Sequence, residues 1–169
     1  LAKVERPASP ATPPGVHPTM NSNGIPALMA EIQSELAELR TLDDRSWDLV
    51  VDEDTTIRAA HDGDAGRLLL SAEVAATPAA TRLATYDLLL TYTNQWQDTG
   101  GICMGLDDAT GRVVQSVDIA TDGLDAAALA IVVADFHVKL LAWRIMVSRG
   151  VRSDQEPAVP PGDLDPEFA

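Results

Sequence analysis

Few residues in this chain have the type and spacing to do chemistry. Two acidic runs, Asp52-Glu53-Asp54 and Asp62-Gly63-Asp64, have the composition of calcium loops. Counted from Asp52, however, the sixth position is Ile57, where a calcium-binding hand needs glycine. The twelfth is Gly63, where it needs a bidentate glutamate. The acids therefore read as solvated turn residues. His137 has no cysteine or acid four residues away to share a metal, and Asp135, two residues off, points to another helical face. His61 stands in a Gly/Asp-rich loop, and His137 reads as a packed or exposed side chain. Gly100-Gly101 lacks the preceding strand and following helix of a phosphate loop, and no Gly-x-Ser-x-Gly elbow is present. The single cysteine, Cys103, excludes an intrachain disulfide and a multi-cysteine zinc site. No motif argues for catalysis, a cofactor or a metal. Two carboxylates brought together by the fold are left open, since sequence does not display them.

The elements that would position any site follow from periodicity. Leu28, Met29, Ile32, Leu36 and Leu39 recur at three- and four-residue steps and predict an amphipathic helix ended by Asp43-Asp44-Arg45. Trp47, Leu49 and Val51 then alternate with polar or outward positions, as in a half-buried strand. Thr55 to His61 pairs back across an Asp52-Glu53-Asp54 turn, and Arg67 to Val74 forms a third strand. Thr77-Pro78 opens a second helix carrying Leu83, Leu88, Leu89, Leu90, Tyr92 and Trp96, which cover more than one stripe. Gly100-Gly101 breaks it. A hairpin follows, with Ile102, Met104 and Leu106 on one strand, Val113, Val117 and Ile119 on the other, and Asp108 to Gly111 as its loop. Asp122-Gly-Leu-Asp125 caps a last helix that is apolar on nearly every side from Ala126 to Ala134 and is stopped by Gly150. The order αβββαββα predicts an α+β fold, an antiparallel twisted sheet covered by helices.

Composition bounds what such a domain does. The chain has 169 residues, with 12 Lys plus Arg against 26 Asp plus Glu, for a net charge of −14. It repels nucleic-acid phosphates and anionic lipid headgroups, so neither is an expected partner. The longest uninterrupted apolar stretch, Ala126 to Ala134, is too short to span a bilayer, and no signal-peptide core is present at the start of the sequence. Of the 11 prolines, only Pro78 lies between Pro26 and Pro157. Residues 1–24 are thus expected as a Pro-rich disordered leader, open as upstream or cloning-derived sequence, residues 25–149 as the folded domain, and residues 150–169 as an acidic Pro-rich disordered tail. Within 25–149 there are 20 acids and 9 bases, a difference of −11, so the acidity belongs mainly to the domain.

Apolar surface exceeds what one such core absorbs. Val50, Leu69 and Val114 fall on the sheet face away from the helices, among Asp48, Arg67 and Asp118. The surplus of the second helix, Tyr86, Leu90, Tyr92 and Trp96, predicts an isologous homodimer through that helix. A dimeric α+β module binding a small ligand or a regulatory protein fits these observations, and so does a binder of extended polypeptide.

The acidic composition and element order, with Leu88-Leu-Leu-Thr-Tyr-Thr-Asn94, Thr99-Gly-Gly-Ile-Cys-Met-Gly-Leu-Asp107, Gly111-Arg-Val-Val-Gln115 and Phe136-His-Val-Lys-Leu-Leu-Ala-Trp143, resemble the class I type III secretion chaperones of the Tir chaperone family. The resemblance covers about three quarters of the chain. It implies a homodimer of the bacterial cytoplasm, without enzymatic activity, cofactor or metal. It implies too that the dimer binds the N-terminal segment of a secreted effector in extended form and presents it to the secretion apparatus, with the secretion-system ATPase as a further partner. Under this reading the effector-binding residues are expected on the first helix (Met29, Ile32, Leu36) and at the outward sheet positions Val50, Leu69 and Val114.

Overall fold

A computed structural model describes residues 24–33 and 38–150 of the chain. The first helix, α1 (Gly24–Gln33), carries Pro26 in its first turn, where a missing N–H costs nothing. Its apolar stripe, Ile25, Leu28, Met29 and Ile32, is buried. Four antiparallel strands follow as a meander: β1 (Glu38–Asp43), β2 (Ser46–Asp52), β3 (Thr55–Asp62) and β4 (Arg67–Ala75). A 3₁₀ turn at Ala79–Thr81 leads into α2 (Arg82–Asn94). The hairpin β5 (Ile102–Leu106) and β6 (Val113–Ala120) precedes the long α3 (Ala126–Arg149).

The sheet has six strands in the order β1-β2-β3-β4-β6-β5, so the α2 crossover carries the chain past β4 and β6 returns beside it. The expected α+β class holds, with one more strand than the periodicity indicated. Residues 38–43, assigned above to the end of a helix, form the edge strand β1, where Leu39 lies opposite Leu49 and Arg40 opposite Asp48. Leu39 is the one side chain of β1 that is half-buried, and the rest are exposed. An edge strand with so little buried surface has no clean two-residue alternation to show, while Leu36 and Leu39 continue the helical spacing. Turn chemistry fixes the pairing instead, since Asp43 Oδ1 accepts from the Arg45 N–H at 2.8 Å and folds β1 back on β2.

One face of the sheet is covered by helices. Trp47, Leu49, Ile57, Leu68, Leu70, Met104 and Val117 point inward against Leu129, Val133, Phe136, Leu140, Trp143 and Val147 of α3. Those α3 positions repeat at four- and three-residue steps, so a single stripe of the helix lies on the sheet. The cap of α3 is the expected one, with Asp125 Oδ1 accepting from the Ala128 N–H at 2.8 Å. By length and composition alone α3 is apolar enough to cross a membrane. One stripe of it packs into the core, while Ile131, Val138, Leu141 and Ile145 on its outer side are exposed. Gly100 and Gly101, with φ of 74° and 82°, turn the chain from α2 into β5 in a conformation that side chains resist.

Of the expected terminal segments, all but Gly24 and Gly150 lie outside the described residues, as does Leu36.

Candidate binding surfaces

The turn acids close turns. Asp62 Oδ1 accepts from the backbone N–H groups of Asp64 and Ala65, both at 3.1 Å. Asp107 Oδ1 accepts from the N–H and hydroxyl of Thr110, both at 2.7 Å, which hold its carboxyl below the usual aspartate range. Asp43 is lowered in the same way by the Ser46 hydroxyl and the Arg45 N–H. Among the described residues no cluster of His, Cys, Asp or Glu could hold a metal ion.

The fold brings one acid to His137 from far along the chain. Asp52, at the end of β2, lies 3.0 Å from His137 Nε2 on α3. Its carboxyl is held below the ordinary value by the Thr55 hydroxyl first, with the Asp54 N–H and His137 adding to the effect. One α-helical heptad further on, Arg144 donates to Thr55 Oγ1 at 2.7 Å, to the Asp54 carbonyl at 3.3 Å and to the Glu73 carbonyl at 3.1 Å. These bonds staple α3 to the β2–β3 turn and the end of β4. With these bonds beside it, the Asp52–His137 pair reads as a structural tie.

The outer sheet face is laced by cross-strand ion pairs: Arg58 with Asp48 at 3.0 Å, Arg67 with Asp118 at 2.9 Å, and Arg112 with Glu73 at 2.8 Å. Val50, Leu69 and Val114 stand among them. Leu69 is 43% exposed, whereas Val50 and Val114 are half-buried. Val50 lies opposite Thr56 and Val114 opposite Glu73, while Leu69 faces Ala60 and Asp118. The three valine and leucine side chains thus face outward as the alternation required, separated by polar neighbours. Met29 and Ile32 are placed differently. At 0% and 2% exposure they belong to the core where α1 packs on α3, and an apolar stripe on a short helix has found its own protomer.

On the helix side, Tyr86 and Leu90 line a groove with Leu89, Met104, Gly105 and Leu106, a space of about 270 Å³ between α2 and β5. Leu90 is 67% exposed. Trp96, beyond the end of α2, is exposed too, but Tyr92 turns inward, its ring edge-on to Trp143 at 4.8 Å. Leu83, counted above among the apolar positions of the second helix, is exposed as well, and so is Leu106, which the alternation of its strand had placed toward the helices but which lies at the end of β5. An outer row on α3, Ile131, Val138, Leu141 and Ile145, is exposed too. The sequence reading gave an all-round apolar surface only to Ala126–Ala134, which takes in Ile131 but not the continuation of the row beyond Asp135.

The two sheet edges differ. The outer side of β5 is occupied by α2 and the turn after it: Thr93 Oγ1 accepts from the Met104 N–H at 2.9 Å and lies 3.2 Å from the Met104 carbonyl, and Thr99 Oγ1 lies 3.1 Å from the Ile102 carbonyl. At the other edge β1 pairs with β2 alone among the described residues.

This arrangement has counterparts. The fold is similar to a chain of the ExsC–ExsE complex, with a TM-score of 0.65 and 19% identity, over 75% of this chain and 96% of that one. It is similar also to a chain of the HopA1–SchA chaperone–effector complex, with a TM-score of 0.63 and 18% identity, over 74% and 96% of the two chains. A third similarity is to the heterodimeric ExoU–SpcU complex from the type III secretion system of Pseudomonas aeruginosa, with a TM-score of 0.51 and 19% identity, over 69% and 94%. Comparison with curated protein sequences gives no significant match. The sequence itself matches the model of one family over residues 29–144, from the second half of α1 through most of α3, which takes in the six-stranded sheet, α2 and the groove between α2 and β5. The chain belongs to the Tir chaperone protein (CesT) family.

Proposed function

We propose that this protein is a type III secretion chaperone of the bacterial cytoplasm. As a homodimer joined through α2, it holds the N-terminal segment of an effector in extended form, without a catalytic component. The observation that carries the reading is the combination of an edge strand, β1, unpaired on its outer side among the described residues, with apolar side chains exposed beyond the core, inside a family of chaperones. An extended client gains backbone hydrogen bonds by adding a strand to such an edge and gains affinity from side chains seated beside it. The net charge of −14 keeps a molecule with exposed apolar patches soluble. It also favours a client with basic or neutral flanks.

Client contacts fall on Val50, Leu69 and Val114 of the outer sheet face. Met29, Ile32 and Leu36 belong to the same proposal, with Met29 and Ile32 reached by a client only where α1 lifts from α3. In the dimer, Tyr86, Leu90 and Trp96 meet the second copy. Tyr92 supports them from within through Trp143. Hand-over to the secretion-system ATPase would follow from the same role. Coexpression with the products of neighbouring genes, followed by pull-down, tests the function. Capture of one specific polypeptide through its N-terminal segment, protease-sensitive when free, supports it. Capture of none, or of a partner already folded on its own, overturns it.

A further inference from the structure

Beyond the end of α2 the chain turns through residues 95–101 before β5 begins at Ile102. This turn carries Trp96, which leaves 52% of its surface exposed. Within the turn the Trp96 carbonyl accepts from the Gly101 N–H at 2.8 Å and from the Thr99 hydroxyl at 3.2 Å, so the pose of Trp96 follows that of the turn. The turn holds itself weakly. Its last two residues, Gly100 and Gly101, are left-handed glycines that offer no side chain to pack, and α2 before it fully buries only Thr85 and Leu89.

Lys139 of α3 reaches across to this turn. Its ammonium donates to the Thr99 carbonyl at 3.1 Å and to Asp135, one helical turn back on α3, at 2.6 Å. Gly100 leaves room for the pair, since a Cβ there would stand 3.6 Å from Lys139 Nζ and 3.9 Å from Asp135 Oδ2. The neighbours of Lys139 on α3, Phe136 and Leu140, are fully buried, so the ammonium stands on an element fixed by the core. We propose that Lys139, aligned by Asp135, is a positioning residue for Trp96. It fastens the turn to α3 and so sets the indole in place for the contact between two copies, a role that rests on the α2 dimer proposed above.

Tryptophan is among the side chains that carry most of an interface's energy, and an anchor held loosely before association must be immobilised during it. A tie made in the free protomer removes that cost in advance. Tyr92, edge-on to Trp143, already holds the last turn of α2 to α3, and Lys139 extends the hold past the helix end. The tie contributes little to the fold itself. The side chains of Lys139 and Asp135 are 31% and 52% exposed, and an ion pair so open to water is a weak source of stability. Its loss therefore falls on association more than on folding.

Trp47 and Trp143 are 3% and 6% exposed, so of the three tryptophans Trp96 is the one a quencher reaches. Sedimentation equilibrium of the full chain, with acrylamide quenching and circular dichroism, tests the proposal. The wild type is expected to dimerise and to shield Trp96. Lys139→Met keeps the apolar stem and removes the donors, and is expected to dimerise about tenfold more weakly, with more quenching and unchanged circular dichroism. Lys139→Arg, which can donate to both acceptors, should recover most of that loss. In samples diluted to monomer, tryptophan anisotropy should decay faster in Lys139→Met than in the wild type, as a loosened Trp96 requires. A folded Lys139→Met protein that dimerises like the wild type overturns the proposal, and so does a weakened one whose monomer anisotropy is unchanged. A wild type that is monomeric at tens of micromolar removes the α2 dimer, and the proposal with it. Should Lys139→Met disturb the fold, Asp135→Asn reads the same outcomes, because it loosens the ammonium without removing it.

Discussion

Gln115 is fully buried on the inner face of β6, where its Nε2 donates to the Phe136 carbonyl at 2.9 Å while Oε1 has no partner among the described residues. An orphaned acceptor in a core costs about 1–3 kcal/mol, and the Phe136 carbonyl lies mid-helix, where the helix supplies its own donor. Gln115→Met is therefore expected to leave stability unchanged or raise it by about 1 kcal/mol, whereas Gln115→Ala, which leaves a cavity, lowers it by about 2 kcal/mol. Urea denaturation compares the two. Asp52 supplies a pH-dependent counterpart. Folding lowers its carboxyl below the ordinary value, chiefly through the Thr55 hydroxyl. A carboxyl lowered in this way stabilises the fold above its unfolded-state value, about pH 4, and that contribution is lost as pH falls through the folded value. Asp52→Asn should therefore lower the melting temperature near neutral pH, with the gap to wild type closing below about pH 4. A gap independent of pH would assign the loss to the amide itself.

At the level of elements, two contacts decide how the helices sit. Gly150 ends α3 at a φ of 74°, and a Cβ there would meet the Thr81 side chain of the 3₁₀ turn, with Thr81 Cγ2 at 2.9 Å and Oγ1 closer still. Gly150→Ala thus carries both backbone strain and a clash, and is expected to cost about 1–3 kcal/mol. Adding Thr81→Ala should recover the steric share and leave the backbone share, which calorimetry on the single and double variants would resolve. Thr93 is the other contact. Its hydroxyl serves the outward N–H of Met104, and Thr93→Val leaves that group unpaired at a sheet edge, at a cost of about 1–3 kcal/mol. An exposed edge also recruits strands from other copies. The variant should therefore show lower thermal stability together with concentration-dependent scattering, and a variant as monodisperse as wild type would mean that α2 covers the edge by bulk alone.

At the scale of the whole molecule, an acidic shell surrounds apolar surface on three sides: the outer sheet, the α2 groove and the α3 row. Each buried aliphatic side chain contributes about 1.5–3 kcal/mol, so Val50→Asp with Leu69→Asp should weaken a submicromolar client complex by about a hundredfold or more. Both side chains face outward, so the double variant should stay folded. Undiminished affinity, measured by titration calorimetry, would move the client to the helix side or the dimer seam.

Much of this molecule was legible before its structure. Trp47 and Leu49, like Leu68 and Leu70, alternate because a sheet with one buried face leaves that period in its residues, and Asp125 and Gly150 bound α3 through chemistry local to its ends. Strand β1 was not legible, because an edge strand with one half-buried side chain records no period of its own. Nor was the placement of β6 between β4 and β5, which depends on a crossover whose register no local segment encodes. Met29 and Ile32 show the same division. Their spacing made them one face of a helix, but only packing on α3 decided that this face is core. His137 and Asp52, 85 residues apart, became neighbours only through the fold. Sequence alone determined periods, caps, turns and charge, which are properties of neighbours along the chain. Tertiary structure decided which apolar faces found partners, because that depends on pairings between distant segments.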